Sequence, residues 1–322
     1  GAVALALRLG IPALIVGLTV VAFGTSAPEL LVSIQAVTGG APGIALGNVV
    51  GSNIANVLLV IGLPAMISVL HTSRLDTAQS YVTMLVASAI FIALAFTGTF
   101  RWWAGLGLLA VLGGMLWQSY AHAAEHRATN SRGAEGNPPK PGKAAEVLAE
   151  GAVAEPEERG AGEVVAAVVE KVPGTPGWKI AVLLLVGLSG LPVGAHLLVE
   201  GAVDIARLLG VSEAIIGLTL VALGTSLPEL ATTVTAALRK SADVALGNVI
   251  GSCLFNLTGI VGITALVAPV PVDPEFLRFD LWVMLGTSLL LAPFIFKQRD
   301  IGFWTGALFV SGYVAYVVAL LA

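Results

Sequence analysis

The sequence predicts an all-α integral membrane protein made of two inverted-topology repeats with five helices each. Three observations point there. Of the 322 residues, 57% are hydrophobic and only 11% are charged, whereas soluble domains carry roughly 25% charged residues. Stretches such as 177–199 and 281–296 are nearly free of charge, and runs of that length span a bilayer core about 30 Å thick. The chain also repeats itself. Shifted by 200 residues, positions 1–62 lie on 201–262 without a gap, and 28 of the 62 are identical. Alternating segments of about 10 residues, the mark of a β-barrel, are missing from the sequence.

The elements follow in order. In the first half, apolar spans fall near 11–38, 41–70, 79–97 and 101–120. In the second they fall near 177–209, 211–238, 242–270, 278–296 and 300–321. The second half therefore has one span, 178–200, ahead of the repeat start at Gly201, and nothing corresponds to it ahead of Gly1. A matching first helix, largely missing here, is expected. Five helices per half is an odd number, so the halves insert with opposite topology. Residues 1–120 form the first half and 177–322 the second. The connector 121–176 is rich in Ala, Gly, Glu and Pro and poor in aromatics, which reads as a flexible linker.

Thirteen of the sixteen Lys and Arg residues lie on one side if the connector is cytoplasmic; only Arg101, Arg207 and Arg278 lie opposite. That bias sets the orientation, and the expected location is a multi-pass cytoplasmic membrane of a prokaryote. Trp102, Trp103, Trp178 and Trp304 sit near span ends and read as interfacial anchors. The one cysteine, Cys253, rules out an intramolecular disulfide and reads as a small packing residue. The expected surroundings are the lipid bilayer and small ions. Nothing in the sequence suggests a nucleic acid, an obligate protein partner or an organic cofactor.

The repeated blocks carry the chemistry. GTSAPE at 24–29 matches GTSLPE at 224–229, and ALGNVVGSNIAN at 45–56 matches ALGNVIGSCLFN at 245–256. Glu29 and Glu229 each sit well inside an apolar span. An ionised group at the bilayer centre costs roughly 2.5–3.5 kcal/mol even on the lenient insertion scale. No Lys or Arg lies inside the spans that carry the motifs, away from their ends, so the compensating charge is expected to be a bound cation. Thr25 and Ser26 lie four and three residues before Glu29, on its helical face, and Thr225 and Ser226 repeat this before Glu229. Pro28 and Pro228 lack an N–H, which is expected to break the helix and free carbonyls near Ala22, Thr25, Ala222, Gly224 and Thr225. Ser52 and Asn56 share a face of the next helix, as do Ser252 and Asn256. Gly47 with Gly51, and Gly247 with Gly251, allow close helix approach. All these donors are hard oxygen ligands suited to Ca²⁺ or Na⁺, not a soft-metal set.

These paired blocks resemble the α-repeats of the sodium/calcium exchanger branch of the cation/calcium antiporter superfamily. The resemblance covers nearly the whole membrane part. It implies ten helices in two inverted repeats, with a site mid-membrane between helices 2, 3, 7 and 8. It implies that Glu29 and Glu229 hold Ca²⁺ through their carboxylates, with the carbonyls of Thr25 and Thr225. It further implies that Ser26, Ser52, Asn56, Ser226, Ser252 and the Ala22 and Ala222 carbonyls help to hold Na⁺. Asn256 belongs to the same set; some members have Asp there, so this chain offers two acidic ligands and not three.

Secondary antiport of Ca²⁺ against Na⁺ by alternating access is thus the expected function. Ca²⁺/H⁺ exchange through the same site is the nearest rival, because two close carboxylates have coupled proton affinities. A passive cation channel is a remoter one, since inverted repeats with broken helices suit a carrier. An enzyme is not expected: Ser26 and Ser226 have no His in their motifs to act as base. Asn48 and Asn248 read as helix bridges. His122 and His126 read as a solvated helix end, and His196 with Glu200, one turn apart, as a structural hydrogen bond.

Overall fold

The computed structural model describes residues 22–71, 78–117, 177–238 and 242–322. The expectations for the start of the chain, for the connector and for His122 and His126 fall outside these residues. The described first half runs α1 (Ala22–Thr25), α2 (Ala27–Thr38), α3 (Pro42–Ile67), α4 (Ala78–Ala95), β1 (Thr99–Phe100) and α5 (Trp102–Trp117). The second runs α6 (Gly177–Leu209), α7 (Glu213–Thr225), α8 (Leu227–Leu238), α9 (Ala245–Val267), β2 (Val270–Pro271), α10 (Phe276–Phe296) and α11 (Phe303–Leu321). Where they fall on described residues, the apolar spans read from sequence match these helices to within a few residues. The chain is a multi-pass, all-α membrane protein.

Burial separates the helices into centre and rim. The most apolar windows of α3 and α9 are 94% and 78% buried, against 39% for α4 and α10 and 22% for α11. All five are similarly apolar, so the difference reflects position: α3 and α9 face protein, and the others turn much of their surface to lipid. Trp102, Trp178 and Trp304 are exposed at helix starts, as suits interfacial anchors.

Small residues bring the central helices together. A Cβ on Gly47 would sit 2.6 Å from the Ala214 carbonyl oxygen, and one on Gly217 would sit 2.8 Å from that of Ile44. A Cβ on Gly51 would overlap the Leu218 carbonyl oxygen and lie 2.7 Å from Cβ of Ala222. The α3 face of Gly43, Gly47 and Gly51 thus packs directly on the α7 backbone. Without a hydrophobic driving force between helices in lipid, such close packing holds a bundle together.

The repeat persists in three dimensions. Asn56–Val60 in α3 and Asn256–Ile260 in α9 are both π-turns, a local widening often found at functional sites. Gly62 packs on Gly306, and Gly262 on Gly105. Leu70 exchanges two backbone hydrogen bonds with Ile301, 2.9 and 3.0 Å, at one end of α4. At its other end β1 pairs antiparallel with β2, Phe100 opposite Val270. Each half therefore clasps the other once, at opposite ends of the bundle.

Substituting Gly51 by Ala should force α3 and α7 apart. Overpacking of this kind typically costs about 1–3 kcal/mol. The thermal unfolding midpoint of Gly51→Ala, read by tryptophan fluorescence in lipid, should fall. An unchanged midpoint would mean that α3 and α7 are not in backbone contact.

Candidate cation site

The site begins with two broken helices. Ser26 separates α1 from α2, with φ −89° and ψ 7°. Ser226 separates α7 from α8, with φ −80° and ψ 2°, and the two segments bend by 45°. Pro28 and Pro228 follow each break, where a residue without an N–H is tolerated in the first turn of a helix. Glu29 and Glu229 lie in the first turns of α2 and α8. Both are fully buried. The positive end of each half-helix dipole is the favourable place for a negative group.

The breaks bring residues of the two halves together crosswise. Ser26 Oγ donates to Glu229 Oε1 at 3.0 Å. The repeat-equivalent bond, Ser226 to Glu29, is not made. Ser226 Oγ and both carboxylate oxygens of Glu29 are buried without a hydrogen-bond partner among the described residues. So are Glu229 Oε2, Ser252 Oγ and both amide atoms of Asn56 and of Asn256. Buried polar groups are ordinarily paired, and each one left unpaired costs about 1–3 kcal/mol. Here such atoms come from both halves, on α2, α3, α8 and α9 and at the break before α8. Acceptor oxygens dominate the set, which is the donor chemistry of a hard cation.

Asn48 on α3 organises the wall. Its Nδ2 donates to the Glu29 carbonyl and to Ser33 Oγ, both at 3.1 Å, and its Oδ1 accepts from Thr225 Oγ1 at 3.0 Å. One side chain therefore ties α2, α3 and α7 together. Asn248 repeats the link to Ser33, with Nδ2 3.5 Å from Thr233 Oγ1. Ser52 Oγ lies 3.5 Å from both the Ala222 carbonyl and Thr225 Oγ1.

One expectation is corrected. The Ala222 carbonyl is not freed: it accepts from the Ser226 amide at 3.1 Å and from Thr225 Oγ1 at 3.3 Å. Pro228 removes the amide opposite Gly224, two residues further on, so the last turn of α7 still closes at Ala222. Ala22 enters as backbone of α1. His196 stands apart from the carboxylates, with Nε2 3.2 Å from Glu200 Oε1 and Nδ1 3.1 Å from Gln35 Nε2, joining α6 to α2. Sequence reasoning passed over Asn53, which is buried between Cys253 and Met284. Its carbonyl lies 3.9 Å from the thiol and its Nδ2 lies 4.0 Å from Met284 Sδ. The signal available was the substitution at the repeat: Asn53 and Cys253 are mates in otherwise matching blocks.

Comparison with known proteins agrees with this architecture. The family model described as sodium/calcium exchanger protein matches residues 1–121 and 179–322. The sodium/calcium exchanger MaX1 of Methanosarcina acetivorans is 33% identical over 332 residues, covering 98% of this chain and 91% of the relative. The inner membrane protein YrbG of Escherichia coli is 31% identical over 315 residues, covering 97% and 87%. Among solved structures, the sodium-calcium exchanger NCX_Mj, soaked with Na⁺ and Sr²⁺, superposes with a TM-score of 0.61 at 32% identity, covering 98% of this chain and 89% of that one. Two broken-helix motifs, matched over almost the full length to these relatives, place the chain in the sodium/calcium exchanger protein family.

Proposed function

We propose that the chain is a secondary active antiporter that exchanges Ca²⁺ for Na⁺ across a cytoplasmic membrane, with the 121–176 connector on the cytoplasmic side. The observation that carries this reading is the pair of fully buried carboxylates, Glu29 and Glu229, at repeat-equivalent positions and without a cationic side chain beside them among the described residues. In this reading Glu29 and Glu229 coordinate Ca²⁺ with the Thr25 and Thr225 carbonyls. Ser26, Ser52, Asn56, Ser226, Ser252 and Asn256, with the Ala22 carbonyl, supply the further oxygens that Na⁺ needs.

Exchange is then obligatory for an electrostatic reason. Two carboxylates sealed from water without a counter-charge are expensive to occlude. Ca²⁺ neutralises them, and so do Na⁺ ions, so only a loaded site crosses between the two faces. The Ser26 bond brings the Glu229 carboxylate to the break just ahead of Glu29, and two carboxylates about one break support a second reading in which protons replace Na⁺. Uptake of ⁴⁵Ca²⁺ into proteoliposomes separates them. An outward Na⁺ gradient should drive uptake at constant pH. Uptake driven by a proton gradient in Na⁺-free buffer, and not by Na⁺, would establish the second reading.

Four variants probe the residues. Glu29→Gln and Glu229→Gln each remove a charged ligand worth about 1.5–3 kcal/mol, so Ca²⁺ affinity should fall roughly 10- to 100-fold and exchange should cease. Near-normal uptake by either would remove that carboxylate from the site. Asn48→Ala leaves the Ser33 and Thr225 hydroxyls and the Glu29 carbonyl without their common partner. It should lower both the unfolding midpoint and the Ca²⁺ affinity. An unaltered affinity would limit Asn48 to helix packing. Asn256→Asp adds a third negative charge to a cavity that Ca²⁺ neutralises with two. The new carboxylate should take up a proton or a further monovalent cation, so Na⁺-driven uptake should acquire a steeper pH and K⁺ dependence. A large change in Ca²⁺ affinity with neither dependence altered would make Asn256 a Ca²⁺ ligand instead.

A further inference from the structure

Among the described residues, the membrane helices hold one more buried acid. Asp280 ends the π-turn Phe276–Asp280 that opens α10, and it is only 3% exposed. Tyr316 Oη on α11 donates to its Oδ1 at 2.9 Å. The Tyr316 ring is held in place by stacking on Phe279, with centroids 6.1 Å apart. One turn earlier on α11, Tyr313 is also buried, and its hydroxyl has no partner among the described residues.

The fold does not require this arrangement. The repeat mate of Asp280 is Ser80. The α5 residues aligned by the Gly62–Gly306 and Gly262–Gly105 contacts with Tyr313 and Tyr316 are Leu112 and Met115. The first half thus uses apolar side chains and a hydroxyl where the second half has an acid and two phenols. An ionised carboxylate here has no Lys or Arg in an ion pair with it among the described residues. The charged groups of its own element are Glu275 and Arg278, both exposed near the helix start. From α11 it meets Tyr316 and Tyr313. Helix α3, packed against α10, carries no titratable side chain. On α4, Tyr81 is engaged two turns deeper with the Ser288 carbonyl at 2.9 Å. A buried acid in a membrane helix without a cationic partner is by default a functional group. One carboxylate and two phenols are far too few oxygens for Ca²⁺, which takes about six to eight, and no group of three metal-binding side chains occurs among the described residues. The occupant that fits is a proton.

We infer that Asp280, held by Tyr316, is a proton-binding site distinct from the cation site and reached from the end of the bundle where β1 pairs with β2. The proton adds to a carboxylate oxygen of Asp280, which becomes a neutral acid, and it leaves to water at that same end. The consequence reaches the cation site through contiguous packing. Met284 lies one turn below Asp280 on the same face, against the Asn53 amide. Asn53 lies three residues before Asn56 on α3. Proton occupancy of Asp280 therefore biases how α10 seats on the helix that carries Asn56, and makes exchange pH-dependent. The link to exchange rests on the function proposed above; the proton site itself does not.

The test uses the full-length protein reconstituted in lipid and saturated with Ca²⁺, so that Glu29 and Glu229 do not titrate. Infrared difference spectra across a pH series should show a carboxylic-acid carbonyl band that Asp280→Asn lacks. Tyr316→Phe removes the donor to the carboxylate, so this band should titrate over a shifted pH range. In ⁴⁵Ca²⁺ uptake, Asp280→Asn should stay active but lose part of the wild-type pH dependence. Identical spectra for wild type and Asp280→Asn overturn the inference. If Asp280→Asn does not insert, an unshifted range in Tyr316→Phe overturns it equally. A protein that shows the band but exchanges no Ca²⁺ contradicts the proposed function and leaves the proton site standing.

Discussion

Two negative groups shut away from water, with no positive side chain beside them, are the constraint around which the membrane part is arranged. Glu29 and Glu229 are tolerable only where half-helix N-termini, hydroxyls and a mobile ion supply the missing positive potential. That requirement explains the proline after each break, since a continuous helix would offer neither a dipole end nor a gap. Gly47 and Gly51 bring the α7 backbone close enough for Ser52 and Asn48 to reach Thr225 and Ala222. The rim helices need only match the lipid.

The two halves answer this constraint with the same parts but not in the same state. Ser26 reaches across to Glu229, whereas Ser226 leaves Glu29 alone. Asn48 makes three bonds, while Asn248 makes one long contact in the equivalent place. A carrier that opens to two faces in turn needs a centre that is symmetric in composition and asymmetric in any one conformation. The unequal bonding of equivalent residues has that character.

Much of this was legible in the sequence because membrane helices leave few options. The spans followed from length and hydropathy, and the pairing of the halves followed from the 28 identities in 62 positions. Glu29, Glu229 and their neighbours stood out because an acid among apolar residues has no bland role. The crosswise contacts did not show, since a repeat says which residues are equivalent and not which of them meet. The state of the Ala222 carbonyl depended on where the helix breaks, which is one residue's geometry at Ser226. Asp280 was not singled out in the sequence. Its burial depends on Tyr316 on a different helix, and no local pattern records that. The π-turns at Asn56 and Asn256 are likewise backbone features without a residue signature of their own.

The two clasps at the ends of the bundle also carry a history. Leu70 with Ile301 corresponds to Val270 with Phe100, so Leu70 and Val270 match at the offset of 200 seen along the central helices, and Phe100 and Ile301 at 201. Both preceding turns pass through a left-handed residue, Gly98 and Gln298, so the extra residue of the second half lies between Gln298 and Ile301. That short insertion holds Asp300, which pairs with His71 at 2.8 Å; the mate of His71 is Pro271, which can make no such pair. The two halves thus differ at their clasps while the carboxylates between them match. The ends of the bundle are where relatives of this chain should differ most in length and charge.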